Sequence, residues 1–513
     1  MKRKRRKTKP KLKCHLSNRL YIPIKRGFAT QLNTIAEMFT HEIVPHNSPC
    51  KKCTTPDMCD ECVNQPRIVE TFSTDDHEGK WLSVPRGDLR KVRAVLKTLN
   101  AVVVDHRSFR KHPLLKNVTW NKKYPLFKYQ KKAVRDWLRN GGYGILQAKA
   151  RSGKTVMTAA LLVQLKAPML FLAHRDRLLK QFIKTCYKFT NIKELERFHS
   201  RPFIGYVSDY RKYPASKHPP ILVSSTQLFA DNYRLMKRYQ NFAGITVLDE
   251  CHHVAAETFS KVYDNFNPRY RLGLTATPGR KDGYDPVMFD IVGPVKVVAK
   301  SKALPCVVDI INTGHVIEDF KMWPTFLRRL AHDDKRNRFI VDHAVKDIKK
   351  GRYLLIVTSR VDHAIKLTSM INKRLGKGDK PVAVAWYSAT DKAYGDEIAA
   401  KCESGEYKVA VSTRDFVQEG IDCPLWDTYY CITPSANPFS YYQEVSRIRT
   451  PLPGKKPIVR YFLDDGSAAF SCLRVASTVH DEEKFRTLKS KGSGYEYYSS
   501  NKKKPLSQMF SSV

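Results

Sequence analysis

Acidic residues are scarce in this 513-residue chain: 49 Asp and Glu stand against 91 Lys and Arg, a formal net charge of +42 at pH 7. Such a surplus says little about fold, but it points to a polyanionic partner, either nucleic acid or an anionic membrane surface. Long apolar runs are missing as well. The longest are pieces such as Tyr353–Val357, far short of the roughly 18–20 residues of a membrane span. No apolar stretch follows the basic residues 1–13, which excludes a secretory signal. These absences predict a soluble intracellular protein without membrane attachment. It would act in the nucleus or cytoplasm of a host cell, or travel in a virion if its source is a virus. Disorder is excluded in turn by 42% apolar and 11% aromatic content, and the length is too great for one ordinary core.

Cysteine is not scarce but is unevenly placed. Four of the twelve, Cys50, Cys53, Cys59 and Cys62, fall within thirteen residues. Two Cys-x2-Cys hooks joined by a short loop suit tetrahedral Zn²⁺ bound by four thiolates, and such a site would be a structural knuckle. Redox or iron–sulfur use and unligated thiols are the other readings. The remaining eight are scattered beside strand-like runs, as free thiols are in a reducing compartment.

The chain divides by pattern. Residues 1–13 hold nine Lys or Arg, too repulsive to fold alone. They form a solvated tail, a nucleic-acid arm or a nuclear import signal. Residues 14–120 read as a small accessory, nucleic-acid-binding domain around the cysteine cluster. Arg19–Ile24 and Ala101–Val104 are apolar runs, and Trp81–Asp88 leads into a helix over Leu89–Leu99. From residue 121 short β-rich runs alternate with amphipathic stretches. Tyr143–Gln147, Pro168–Ala173, Ile221–Ser225, Gly244–Asp249 and Arg271–Thr275 read as buried parallel strands, and helical patterns such as Val156–Lys166 separate them. The alternation repeats through Tyr353–Ser359, Val382–Ser388, Lys408–Thr413, Thr428–Thr433 and Ile458–Leu463. Two doubly wound α/β domains in tandem are predicted, over 121–300 and 301–465. The connection falls near 295–335, and residues 466–513 lose the pattern and read as a tail.

Ala148-Lys-Ala-Arg-Ser-Gly-Lys-Thr155 follows a strand and opens a helix. In that context it is a phosphate loop, because helix-start N–H groups cradle phosphate oxygens. Ser152 and Gly153 shape the loop, and glycine lets the backbone approach closely. Lys154 would reach the β- and γ-phosphates of ATP, and Thr155 would ligate Mg²⁺. Ala148 stands where the general pattern has glycine. Gly244-Ile-Thr-Val-Leu-Asp-Glu-Cys-His252 is an apolar strand ending in two carboxylates. Asp249 is placed to hold the Mg²⁺ shell and Glu250 to activate water. His252 and His253 are zinc ligands by residue type alone. Beside Asp-Glu at a strand end they fit interdomain coupling better.

Asp249-Glu-Cys-His252 resembles motif II of the superfamily 2 DExH helicases, and other motifs of that family follow in order. Leu126-Phe-Lys-Tyr-Gln130 resembles the leading segment whose Gln reads adenine. Leu172–Leu179 resembles motif Ia, and Val223–Gln227 the next strand-touching motif. Leu274–Gly283 is similar to motif III, with Thr275 and Thr277 as its hydroxyl pair. Val411–Asp422 resembles motif V, with Gly420 and Asp422 linking nucleotide to strand, and Gln443–Arg449 resembles motif VI. The resemblance covers residues 121–465 and implies two RecA-like domains, ATP and Mg²⁺ as cofactors, and motif VI arginines that stabilise the departing γ-phosphate. Arg447 matches the first of these. Thr450 stands at the last arginine position and Arg449 one residue earlier, a rotation of about 100° on a helix. Ser446 replaces the usual glycine.

The Thr275–Gly283 run, Val84-Pro-Arg-Gly87 and Val459–Asp465 resemble the branch of XPB-like translocases and UvsW-type helicases, and the layout is similar to helicases of large DNA viruses. That resemblance implies a DNA-directed motor for unwinding, branch remodelling or transcript release, tied to transcription or replication machinery. An RNA helicase is the second reading. A basic nucleic-acid-binding scaffold with a decayed ATPase is the third, and a membrane-surface protein has only the charge behind it.

Overall fold

The computed structural model describes residues 12–43, 67–75, 81–149, 152–252, 257–276, 283–300, 303–316, 323–375, 380–418 and 421–488. The cysteine cluster, the basic run 1–11, His253, Thr277 and Gly420 lie outside the described residues. Two compact units divide the chain, Met1–Lys300 and Ser301–Val513. Among the described residues no helix is long and apolar enough to cross a membrane.

The first unit opens with a five-stranded sheet, in spatial order Ser73–Asp75, Trp81–Val84, Leu20–Pro23, Lys13–Leu16 and Val102–Asp105. Helices Ala29–Glu37 and Arg90–Thr98 close its core over Cys14, Leu16, Ile22, Ile35, Phe39, Val84 and Val92. This layer is joined to the α/β layer in part by polar contacts onto one buried carboxylate. Asp290 accepts from the Thr71 hydroxyl at 2.8 Å, pairs with Lys91, and meets His41 Nε2 at 2.6 Å. Its backbone carbonyl takes the Gly87 N–H at 2.8 Å. Glycine is required there, since a Cβ on Gly87 would sit 2.3 Å from that carbonyl oxygen.

The α/β layer of this unit is a seven-stranded parallel sheet, ordered Ile204–Tyr206, Ile221–Ser225, Met169–Ala173, Ile245–Asp249, Tyr270–Thr275, Tyr143–Ala148 and Val295–Ala299. Strands buried on both faces read as apolar runs, which is why five of the seven are visible in the sequence. The edge strands Ile204–Tyr206 and Val295–Ala299 are short or half-exposed and carry no such run. Register places Asp249 beside Leu274 and Thr275 beside Gln147. The carboxylates, the Thr275 hydroxyl and the phosphate loop thus share the carboxyl edge of the sheet, where open α/β folds bind ligands.

The second unit repeats the design, with strands ordered Ala383–Trp386, Val409–Thr413, Leu354–Thr358, Thr428–Cys431, Ile458–Asp465, Val307–Val316 and Arg486–Thr487. Its core holds a buried ion pair in which Arg336 Nε donates to Asp464 at 2.8 Å. Residues 295–335 are not a bare connection, because they supply two strands and helix Trp323–His332. The expected tail also needs correcting. Ser467–Glu482 is a helix that buries Ala469, Cys472, Leu473, Ala476 and Val479. Its apolar side chains are small and interspersed with Ser and Thr, so the stripe is narrow. The eight cysteines outside the cluster are all free and buried.

Candidate nucleotide and nucleic-acid site

The phosphate loop leaves the buried end of its strand at Ala148 and enters helix Lys154–Leu165 through Gly153. Gly153 adopts φ +81°, and a Cβ there would lie 2.5 Å from Gln130 Nε2. Both facts demand glycine. Gln130 is buried and braces the loop: its Nε2 donates to the Ser152 carbonyl at 3.0 Å, and its Oε1 accepts the Phe127 N–H at 3.1 Å. Tyr129 donates its hydroxyl to the same Ser152 carbonyl at 2.8 Å. The buried Ser152 hydroxyl has no hydrogen-bond partner among the described residues.

Lys154 forms an ion pair with Glu250. Burial depresses its ammonium, but the attraction of Glu250 and Asp249 outweighs this and holds its pKa above the usual value. Asp249 is 4% exposed. Burial pushes its carboxyl well above the ordinary carboxylate range, with Glu250 adding to the rise and Lys154 opposing it. Glu250 follows at φ +49°, a left-handed conformation that costs a non-glycine residue about 1–3 kcal/mol and concentrates at functional positions. Its N–H donates to Asp249 Oδ1 at 3.1 Å. His252 Nδ1 lies 3.4 Å from Glu250 Oε2 and 3.1 Å from Thr275 Oγ1. The histidine of motif II therefore touches the first hydroxyl of motif III.

The donor set fits a magnesium nucleotide. A cationic Lys154, a loop opening onto a helix start, the Asp249 carboxylate and the Thr155 hydroxyl are what a triphosphate and a hard cation require. Among the described residues no group of three or more His, Cys, Asp or Glu side chains forms a metal centre by itself. Magnesium does not need one, since it is bound by one or two carboxylates plus phosphates and water.

The segments that resemble motif Ia and the motif after it begin at neighbouring strand ends. Met169–Ala173 runs into helix Asp176–Phe189, and Ile221–Ser225 into Thr226–Ala230, whose first turn is capped by Ser225 Oγ on the Leu228 N–H at 3.2 Å. In the second unit, Arg414 follows strand Val409–Thr413 and pairs with Glu444 at 2.7 Å. Burial lowers the Arg414 pKa, but the Glu444 carboxylate carries it above the ordinary value. Tyr429 donates to the other oxygen of Glu444. The segments resembling motifs V and VI are thereby fastened to each other, and Asp422, the last residue of the first, is half-buried.

The two arginines of motif VI differ. Arg447 caps helix Pro438–Ser446 and is half-buried. Arg449 is 5% exposed and turned inward. Its Nη1 pairs with Glu483 at 2.8 Å, its Nε donates to the Leu304 carbonyl at 2.8 Å, and its guanidinium lies 4.9 Å from the Phe485 ring centroid.

Three features were not singled out from the sequence. Phe127 is 48% exposed and stacks on Tyr129 at 5.8 Å. Tyr129 itself carries the loop, although the Leu126–Gln130 run contained it. The Arg414–Glu444 pair joins residues thirty apart and has no local signature.

Paired seven-stranded parallel sheets, the first carrying a phosphate loop and an Asp-Glu strand end, define tandem RecA-like domains. Comparison with known proteins agrees. The family model "Type III restriction enzyme, res subunit" matches residues 123–280. The chain's homologues are XPB-type and viral helicases. It is 27% identical over 383 residues to the DNA 3'-5' translocase XPB2 of Sulfurisphaera tokodaii, covering 64% of this chain and 82% of that one. A candidate ATP-dependent RNA helicase of Acanthamoeba polyphaga mimivirus is 24% identical, over 65% of this chain and 62% of its own length. The match thus spans less than two thirds of that relative. Among solved structures, Mss116p bound to single-stranded RNA and AMP-PNP superposes with a TM-score of 0.52 at 15% identity, covering 75% of this chain and 78% of that one. That likeness is one of fold.

Proposed function

We propose that this chain is an ATP-dependent, DNA-directed helicase or translocase. The observation that carries the reading is the joint placement of Lys154, Asp249 and Glu250 at the carboxyl edge of the first parallel sheet. Bound ATP with Mg²⁺ supplies a cleavable phosphoanhydride whose charge is partly neutralised. The chain's own residues do the rest. Lys154 would leave its pairing with Glu250 to bind phosphate oxygens, and Thr155 and Asp249 would hold the cation. Glu250, freed from Lys154, orients the attacking water and takes its proton on a carboxylate oxygen. Arg447 rather than Arg449 is the candidate for the stabilising guanidinium that motif VI implies, since Arg449 is committed to Glu483. The His252–Thr275 contact lets motif III sense the state of Glu250.

DNA is favoured over RNA because XPB-type relatives named for DNA recur among the homologues. The net charge of +42 suits a backbone-gripping motor with salt-sensitive, sequence-independent binding. Strand displacement on matched DNA and RNA forks, with ATP and with a non-hydrolysable analogue, tests the reading. ATP-dependent opening of DNA forks well above that of RNA forks is expected. Equal opening of both would overturn the DNA assignment.

A further inference from the structure

The Val84-Pro-Arg-Gly87 run is not part of the nucleotide site, yet it ends in a buried cation. Arg86 is 5% exposed, and its one hydrogen bond among the described residues runs from Nη2 to the Pro268 carbonyl at 2.5 Å. Its Nε and Nη1 are buried without a hydrogen-bond partner among the described residues. Arg271, at the amino end of strand Tyr270–Thr275 and 2% exposed, has the same deficiency. Its Nη2 donates to the Tyr263 carbonyl at 2.7 Å, while Nε and Nη1 have no hydrogen-bond acceptor. One carboxylate serves the cluster, and it is shared. Asp264 takes Arg19 on Oδ2 and lies 3.5 Å from Arg271 Nη1 through Oδ1. Three guanidiniums thus stand against one carboxylate at the joint between the accessory sheet and the α/β layer. Burial and then the repulsion of Arg271 and Arg107 press the Arg86 pKa down, but a guanidinium does not give up its proton in a protein.

Buried charges are stable only when paired, and breaking such a pairing is among the costliest changes a core can suffer. Asp264 Oδ1, 3.5 Å from Arg271 Nη1, is the one acceptor of the cluster that also lacks a hydrogen bond, so it can answer at most part of the four guanidinium donors, and water brings no charge for the rest. We propose that a small inorganic anion, a halide or phosphate, is bound at this joint by Arg86 and Arg271. It completes the seam through which the accessory sheet is held to the motor layer. The site lies at the amino edge of the parallel sheet, opposite the edge that carries Lys154 and Asp249, so it is separate from the nucleotide site.

Two measurements on the full chain test this. Crystals grown in bromide should show an anomalous peak in contact with both guanidiniums, and crystals grown in phosphate a tetrahedral feature in its place if phosphate is the occupant. Water-level density with neither would overturn the proposal. Thermal unfolding without nucleic acid, in chloride or phosphate against gluconate at equal ionic strength, should show the small anion raising Tm by roughly 2–4 °C. Arg271→Met should abolish that difference while leaving any phosphate effect at Lys154 in place. A difference that survives in Arg271→Met, or its absence from the wild type, would contradict the site. Should that variant fail to fold, the bromide experiment on the wild type decides.

Discussion

Replacing Arg449 and Arg447 one at a time should separate structure from chemistry within three residues. Arg449 is buried against Glu483, whose side chain is 8% exposed. Removing one member of such a pair leaves the other charge buried alone, at a cost of about 3–5 kcal/mol. The lost Leu304 bond and the contact with the Phe485 ring point to the upper part of that range. In a domain of this size each kcal/mol lowers Tm by about 2–4 °C, so Arg449→Met should lose on the order of 6–20 °C. Below its transition it should turn over ATP within a few-fold of wild type. Arg447→Ala should do the reverse. Its Tm should move little, while turnover should fall by about 10³ or more if it supplies the charge that phosphoryl transfer needs. Calorimetry and steady-state ATP hydrolysis on the same preparations read both axes. If Arg449→Met kept its Tm but lost turnover, the reasoning that its pairing removes it from catalysis would be refuted.

Gly153→Ala should weaken ATP-analogue binding at least tenfold, because the new Cβ both strains φ +81° and displaces Gln130; the strain alone is about 1–2 kcal/mol, and unchanged affinity would mean the loop rearranges. His363 and His480 are held neutral by burial, with pKa values pushed down to about 3. The unfolded chain takes up their protons near pH 6.5 and the folded chain does not. Their contribution is therefore complete above pH 6.5 and is lost as pH falls toward 3. Between pH 6.5 and 5 this amounts to about 2 kcal/mol per histidine. Urea midpoints of the second unit should drop over that window, and less steeply in His363→Gln. Duplex affinity should fall with salt by about 0.9 in the log–log slope per phosphate neutralised. Deleting residues 2–13 should flatten that slope, and an unchanged slope would make them a solvated tail.

How much of this was legible depended on whether the signal was local. Strands buried on both faces are continuous apolar runs, so the central strands of both sheets could be read to within a residue or two. Edge strands lack that run. Val307–Val316 is not an edge strand, since it lies between Ile458–Asp465 and Arg486–Thr487, yet it was lost inside a supposed connection. The placement of Lys154, Asp249 and Glu250 was readable because each sits at the end of a strand or the start of a helix fixed by its own neighbours. The fate of Arg449 was not, since its partner Glu483 lies thirty-four residues on, in a segment that read as tail. Arg86 was visible only as part of a run, because its lack of counter-charge is a property of packing.

The most direct test of the central claim is ATP turnover by the wild type and by Glu250→Gln, each without nucleic acid and with duplex DNA, single-stranded DNA and single-stranded RNA. The account predicts turnover stimulated by DNA more than by RNA, and lost in the variant. No turnover under any of these conditions, or turnover that persists in Glu250→Gln, would contradict it.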